Sequence, residues 1–150
     1  MKIESVRDLE VYKLAFNCAM EIFQITKTFP SEEKYSLTDQ IRRSSRSVCS
    51  SLAESWRKRR YKAVFKNKLT DAMQEASETQ TWVEFCYACN YIDKATFDKF
   101  HSEYEQLLAM LNTRIKRQIL FVSQSLNLPV SHLHEGSILV IEIFVKVNNL

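Results

Sequence analysis

The sequence predicts an all-α protein, an antiparallel up-down four-helix bundle over residues 1–117, with an atypical C-terminal extension, residues 118–150, of strand-like composition. Three observations carry that expectation. One Gly and two Pro in 150 residues leave little material for tight turns, which favours long helices over a meander of strands. Apolar residues recur at three- and four-residue steps in four successive segments, the mark of amphipathic helices. The connections between those segments are short, as antiparallel neighbours in a bundle require. A composition 45% hydrophobic and 26% charged is ordinary for a globular chain of one domain.

The first helix opens at "SVRD", where Ser5 caps and Asp8 answers it three residues later, the pattern of a capping box. Leu9, Tyr12, Phe16, Ala19 and Phe23 then form its expected buried stripe, and Pro30 in "KTFPSEEKYS" ends it,. The second helix starts near Ser36, with Asp39 again three residues on, and buries Leu37, Ile41, Ser45, Val48, Leu52 and Trp56. Its many serines are poor helix formers, and small side chains of that kind let a neighbouring helix come close. "WRKRRYK" is the corner to a third helix, Lys62 to Cys89, with Phe65, Leu69, Met73, Ala76, Gln80, Val83 and Tyr87 near one face. "NYID" makes the next turn, capped by Asp93,. The fourth helix presents Phe97, Phe100, Tyr104, Leu107, Leu111 and Ile115.

Composition changes at about Gln118. Residues 119–150 hold three charged side chains (Glu135, Glu142, Lys146), and "SILVIEIFVKV" is rich in β-branched residues,.

Several classes of chemistry lack their residues. "MKIESVRDLEVYK" has no apolar core of a secretory leader, and no apolar run approaches the ~18 residues of a membrane span,. A cytoplasmic protein with reduced thiols is expected. "CYAC" (Cys86 to Cys89) has the spacing of zinc ligands and redox pairs, but no second ligand pair accompanies it,. Buried core thiols are the better reading. His132 and His134 would share one face of a strand, with Glu135 adjacent, but no third ligand is placed beside the two histidines, and His101 reads as a surface residue. A chain with one Gly cannot supply a glycine-rich phosphate loop,. No metal, cofactor or catalytic residue is therefore expected.

Charge is the informative feature. Residues 42–68 carry ten of the 21 basic residues and one acid, Glu54. Residues 71–105 then carry eight acids against Lys94 and Lys99. Arg42, Arg43, Arg46 and Arg57 fall on one side of the second helix, away from its apolar stripe,. Arg57, Lys58, Arg59, Arg60 and Lys62 extend the patch at the corner. These eight residues are the candidate nucleic-acid-binding set, because guanidinium groups suit bidentate contact with phosphate. A solvated helix face is the plain alternative. Trp56, Trp82 and the other aromatics follow helical spacing and read as core packing,.

"FPSEEKYSLTDQIRRSSRSVCSSLAESWRKRRYKAVFKNKLTDAMQEASETQTWVEF", with "DLEVYKLA" before it and "CNYID" after it, resembles the four-helix-bundle proteins encoded by intervening sequences of bacterial 23S ribosomal RNA genes. The resemblance covers residues 5–117, and "FP-EE-Y-LT-QIRR" is its most specific part. It implies a small all-α protein that assembles as a homopentamer and has no known catalysis. The family also includes accessory proteins of diversity-generating retroelements, which bind nucleic acid and a reverse transcriptase. By position, Arg42, Arg43 and Arg46 fall on the motif's basic helix. Cys49 stands where the family often has Pro, and Ser55 where a Gly often ends the helix.

The expected function is thus a non-enzymatic, self-assembling bundle that binds RNA or DNA through a basic surface, as an accessory to a ribosomal RNA intervening sequence or a reverse transcriptase. The alternative is a protein-interaction scaffold whose basic patch docks an acidic protein partner.

Overall fold

A computed structural model describes residues 4–126, with side chains described through 117. Four α-helices make up the fold: α1 (Glu10–Ile25), α2 (Leu37–Arg57), α3 (Lys62–Ala88) and α4 (Lys94–Leu126). Among the described residues there is no strand. The compact unit that carries the bundle core spans Met1–Ile115. The expected strand in the C-terminal extension, with His132, His134 and Glu135, lies outside the described residues; α4 itself continues past Gln118 to Leu126.

Each helix is tied to two neighbours. The Arg42 guanidinium on α2 donates from Nε to the Thr26 hydroxyl just after α1 (2.7 Å). Thr79 Oγ1 on α3 meets Ser44 Oγ on α2 at 2.9 Å, and Lys68 on α3 pairs with Glu54 on α2 at 2.8 Å. Gln80 on α3 donates to Glu105 on α4 (2.8 Å), and Lys99 on α4 pairs with Glu21 on α1. The order around the bundle is therefore α1, α2, α3, α4, with α1 diagonal to α3. Successive helices run in opposite directions, as the expected up-down bundle requires.

The turns show why the helices stop where they do. Ser5 and Asp8 form the expected capping box, although it closes a short 3-10 turn, Val6–Asp8, ahead of α1. At α2 the expected box is absent. Ser36 makes no cap bond with its side chain; its hydroxyl donates to Glu33, which also accepts from the Leu37 backbone N–H at 3.3 Å. Glu33 thus does the capping, and a carboxylate at a helix N-terminus is favoured by the helix dipole. The third helix closes at Asn90, whose φ of 59° is left-handed. Its N–H bonds the Tyr87 carbonyl, and that of Tyr91 bonds Cys86, which satisfies carbonyls the helix end would otherwise leave open. Asp93 caps α4 as expected, accepting from the Thr96 N–H at 2.8 Å.

The core follows the expected pattern on α2 and α4. Leu37, Ile41, Ser45, Val48 and Leu52 are buried, as are Phe100, Tyr104, Leu107, Leu111 and Ile115, while Trp56 and Phe97 are half-buried. On α3 the buried line is Leu69, Ala72, Ala76, Thr79, Val83 and Cys86, whereas the expected Phe65, Met73 and Gln80 are half-buried and Tyr87 is exposed. Helix α1 departs most from expectation. Its buried face is Val11, Ala15, Cys18, Ala19 and Ile22, whereas Phe16 is 48% exposed and Tyr12 and Phe23 are half-buried. Helix α1 is apolar on two adjacent faces, so its periodicity does not say which one α2 and α4 will enclose. The face with the smaller side chains went inward, where close packing against three helices leaves less room.

Candidate nucleic-acid interface

The eight basic residues singled out above divide into two clusters along α2, and the first gathers at the end of α1. Phe23 lies in the last turn of α1. The guanidinium carbons of Arg42 and Arg46 lie 5.1 Å and 5.3 Å from its ring centroid, and Nζ of Lys27 lies 4.7 Å from it. A ring face attracts cations electrostatically, so one phenylalanine holds three positive groups that would otherwise repel one another. A phosphate placed among them relieves that repulsion. Lys27 also donates to Gln24 (2.7 Å).

The members of this cluster are not equivalent. Arg42 is half-buried and anchored to Thr26, which itself donates to the Ile22 carbonyl at 2.7 Å. Arg42 therefore stitches α2 to α1 as well as adding charge. Arg46 is exposed. Arg43 turns the other way, donating to Gln40 at 2.9 Å and lying 3.8 Å from Glu78 of α3. It sits at the border with the acidic side.

The second cluster occupies the corner at the opposite end of α2. From Arg46 to Arg57 is about 16 Å along the helix at 1.5 Å per residue. Arg42, Arg46 and Arg57 fall within roughly 60° of arc, so the two clusters lie on one side of α2. Arg57, Lys58, Arg59 and Arg60 are exposed, and Lys62 is half-buried. Arg59 stacks over Trp56 at 4.5 Å and donates to the Trp56 carbonyl at 2.8 Å. That holds its guanidinium against the helix end.

Lys68, in the same basic segment, is neutralised. It pairs with Glu54 and with Asp71 at 3.2 Å, and the hydrogen bonds it donates to those two carboxylates raise its pKa. On α3, burial and then neighbouring Glu78 raise the pKa of Glu75, with Arg43 opposing them. The acids of residues 71–105 thus lie on α3, at the cap of α4 and on its first part, and the basic candidate residues lie on α2 and the corner that follows it.

Sequence reasoning missed Lys27 and Arg7. The signal for Lys27 was its four-residue spacing from Phe23, which puts both on one helical face; Arg7, inside the capping turn, reaches the corner cluster only through the fold. The "CYAC" pair divides: Cys86 is buried and Cys89 exposed. Burial, then the neighbouring Cys89, pushes the Cys86 thiol up to about 12, a poor state for a thiolate ligand or nucleophile. Among the described residues no group of three His, Cys, Asp or Glu side chains is placed to hold a metal ion, and no helix is long and apolar enough to cross a membrane. His101 is exposed and stacks on Phe97 at 5.8 Å.

The comparisons with known proteins agree with this architecture. A crystal structure from Bacteroides thetaiotaomicron, described as a protein of unknown function from the S23 ribosomal protein family, matches with a TM-score of 0.65 and 27% sequence identity. The match covers 71% of this chain and 95% of that one. No curated protein matches. Residues 7–113 match the family model described as 23S rRNA-intervening sequence protein, and the chain belongs to that family.

Proposed function

We propose that this protein is a non-enzymatic, cytoplasmic, self-assembling bundle that holds nucleic acid by its phosphates along the α1 and α2 side. The observation that carries the reading is the convergence of Lys27, Arg42 and Arg46 on the ring of Phe23. The corner cluster about 16 Å further along α2 supplies a second set of cations, so a strand lying along the helix meets both. Phosphate binding of this kind positions a backbone without reading bases. RNA transcribed from a ribosomal RNA intervening sequence is the first ligand to try, and a reverse transcriptase is a candidate protein partner.

Self-association is supported by the second apolar face of α1. Phe16 and Met20 are 48% and 43% exposed, and Tyr12 stacks on Phe16 with centroids 6.2 Å apart. In a closed ring, such as the pentamer the family resemblance implies, the basic side repeats and binding becomes multivalent.

The test is a salt titration with a folded RNA, an unrelated RNA and a DNA duplex. Replacing Lys27, Arg46 and Arg57 by Gln should weaken all three about equally. It should also lower the slope of log affinity against log salt by about 0.7 to 0.9 for each phosphate no longer neutralised. Unchanged affinity at equal salt overturns the reading and leaves a solvated face. An acidic protein partner, the second reading, would bind while the nucleic acids do not.

A further inference from the structure

The end of the bundle that holds the corner cluster also contains a cavity of about 560 Å³, within the size range of small-molecule sites. It lies among the N-terminal turn, the start of α1, the end of α2 and the start of α3. Its walls differ in chemistry. Tyr12, Trp56 and Val64 supply an aromatic and apolar side, and Arg7, Arg57 and Lys58 supply a cationic side. Glu54 and Lys68 also line it, but they neutralise each other at 2.8 Å. That leaves the three cations facing one further acid, Glu4.

Trp56 is the informative residue. One surface of its indole carries the Arg59 guanidinium, 4.5 Å from the ring. Arg59 does not line the cavity, whereas Trp56 does. The stack with Arg59 therefore lies outside the cavity that Trp56 lines. A flat ring held from behind by a cation is a stacking platform, and the cations beside it suit an anionic group attached to whatever stacks there. Arg57 belongs both to the cationic wall and to the row of arginines along α2. A strand tracking that row by its phosphates is delivered to the cavity mouth.

We infer that the cavity receives one unpaired nucleotide of the bound strand, its base against Trp56 and Tyr12 and its phosphate against Arg7, Arg57 and Lys58. This deepens the nucleic-acid reading and rests on it. The consequence is a preference for unpaired segments over continuous duplex, because a paired base cannot leave its stack without cost. Stacking of a single base on an aromatic side chain corresponds to about tenfold in affinity.

The experiment uses the full chain with Trp82→Phe, which leaves Trp56 as its one tryptophan. Labelled single-stranded RNA and DNA oligonucleotides, and a duplex of equal length, are titrated while strand anisotropy and Trp56 emission are read together. The single strands should bind about tenfold more tightly than the duplex and quench Trp56, while the duplex should bind without quenching. Arg7→Gln should weaken the single strands several-fold more than the duplex and leave helicity unchanged. Tyr12→Leu should abolish the preference for single strands. Binding of single strands with Trp56 emission unchanged overturns the cavity assignment and leaves the phosphate reading intact. Quenching by inorganic phosphate alone to the same extent also overturns it, as a simple anion site. If no oligonucleotide binds at all, both readings fall.

Discussion

The Tyr91 hydroxyl donates to Oε1 of Glu33 at 3.1 Å, joining residues 58 positions apart. It ties the loop between α1 and α2 to the turn between α3 and α4. Tyr91 also packs its ring 5.3 Å from that of Phe29, and Glu33 caps α2 through the Leu37 N–H. Both residues lie in the segments that carry the family resemblance, "FP-EE" and "CNYID". Their part in the motif is to close one end of the bundle.

That closure predicts an acid sensitivity. Hydrogen bonds from Ser36, the Leu37 N–H and Tyr91 hold the Glu33 carboxyl below its ordinary value near 4.5. A carboxylate whose pKa is depressed by folding adds stability that is present above its unfolded value and lost as pH falls through the folded one. Asp93 behaves likewise through its bonds with Thr96. Glu33→Gln should lower the thermal midpoint at pH 7 by a few degrees and have little effect at pH 2. Equal effects at both pH values would mean the carboxylate charge contributes nothing.

Arg42 and Arg46 sit at similar distances from Phe23, yet only Arg42 is half-buried and bonded to Thr26. Arg42→Gln should therefore cost about 1 kcal/mol of stability, and Arg46→Gln less than about 0.5. Chemical denaturation of both variants, with Thr26→Val to complete a double-mutant cycle, measures the coupling. A zero coupling energy would remove Arg42 from its stitching role.

The two apolar faces of α1 should respond differently to truncation. Ile22 is fully buried, and Ile22→Ala should cost about 2–5 kcal/mol through reduced burial and the cavity left behind. Phe16→Ser should leave the secondary structure of a single chain intact and lower the solution mass toward the single-chain value of 17.6 kDa. Light scattering at micromolar concentration reads this directly. An unchanged assembly would place the subunit interface elsewhere.

The four thiols should label in an order set by their surroundings. Cys89 is exposed. Burial pushes Cys49 up to about 11 and, with the neighbouring Cys89, Cys86 up to about 12; Cys18 is raised by burial and by Glu103. At pH 7.5 an alkylating reagent should modify Cys89 at least ~100-fold faster than Cys86, because the thiolate is the reactive form. Peptide mapping after timed quenching gives the order, and fast modification of Cys86 would show that the end of α3 opens readily.

Much of this protein is set by local rules that sequence states openly. One Gly and two Pro, four stretches of three- and four-residue apolar periodicity, and caps such as Asp93 specify four helices, the limits of α2 and α3 and the start of α4, because those effects act within one or two turns of chain. The buried lines of α2 and α4 were equally legible, since each of those helices has one apolar face. Tertiary structure decided what such patterns leave open. Helix α1 offers two apolar faces, and only its packing between α2 and α4 selects Val11, Ala15, Cys18 and Ile22 over Tyr12 and Phe16. Glu33 rather than Ser36 caps α2 because Tyr91, distant in sequence, fixes that carboxylate in place. The basic residues were visible as a run. Which of them cluster, and that Lys27 joins Arg42 and Arg46 on one ring, depends on how α1 and α2 cross. That is a relation in space for which linear spacing has no term.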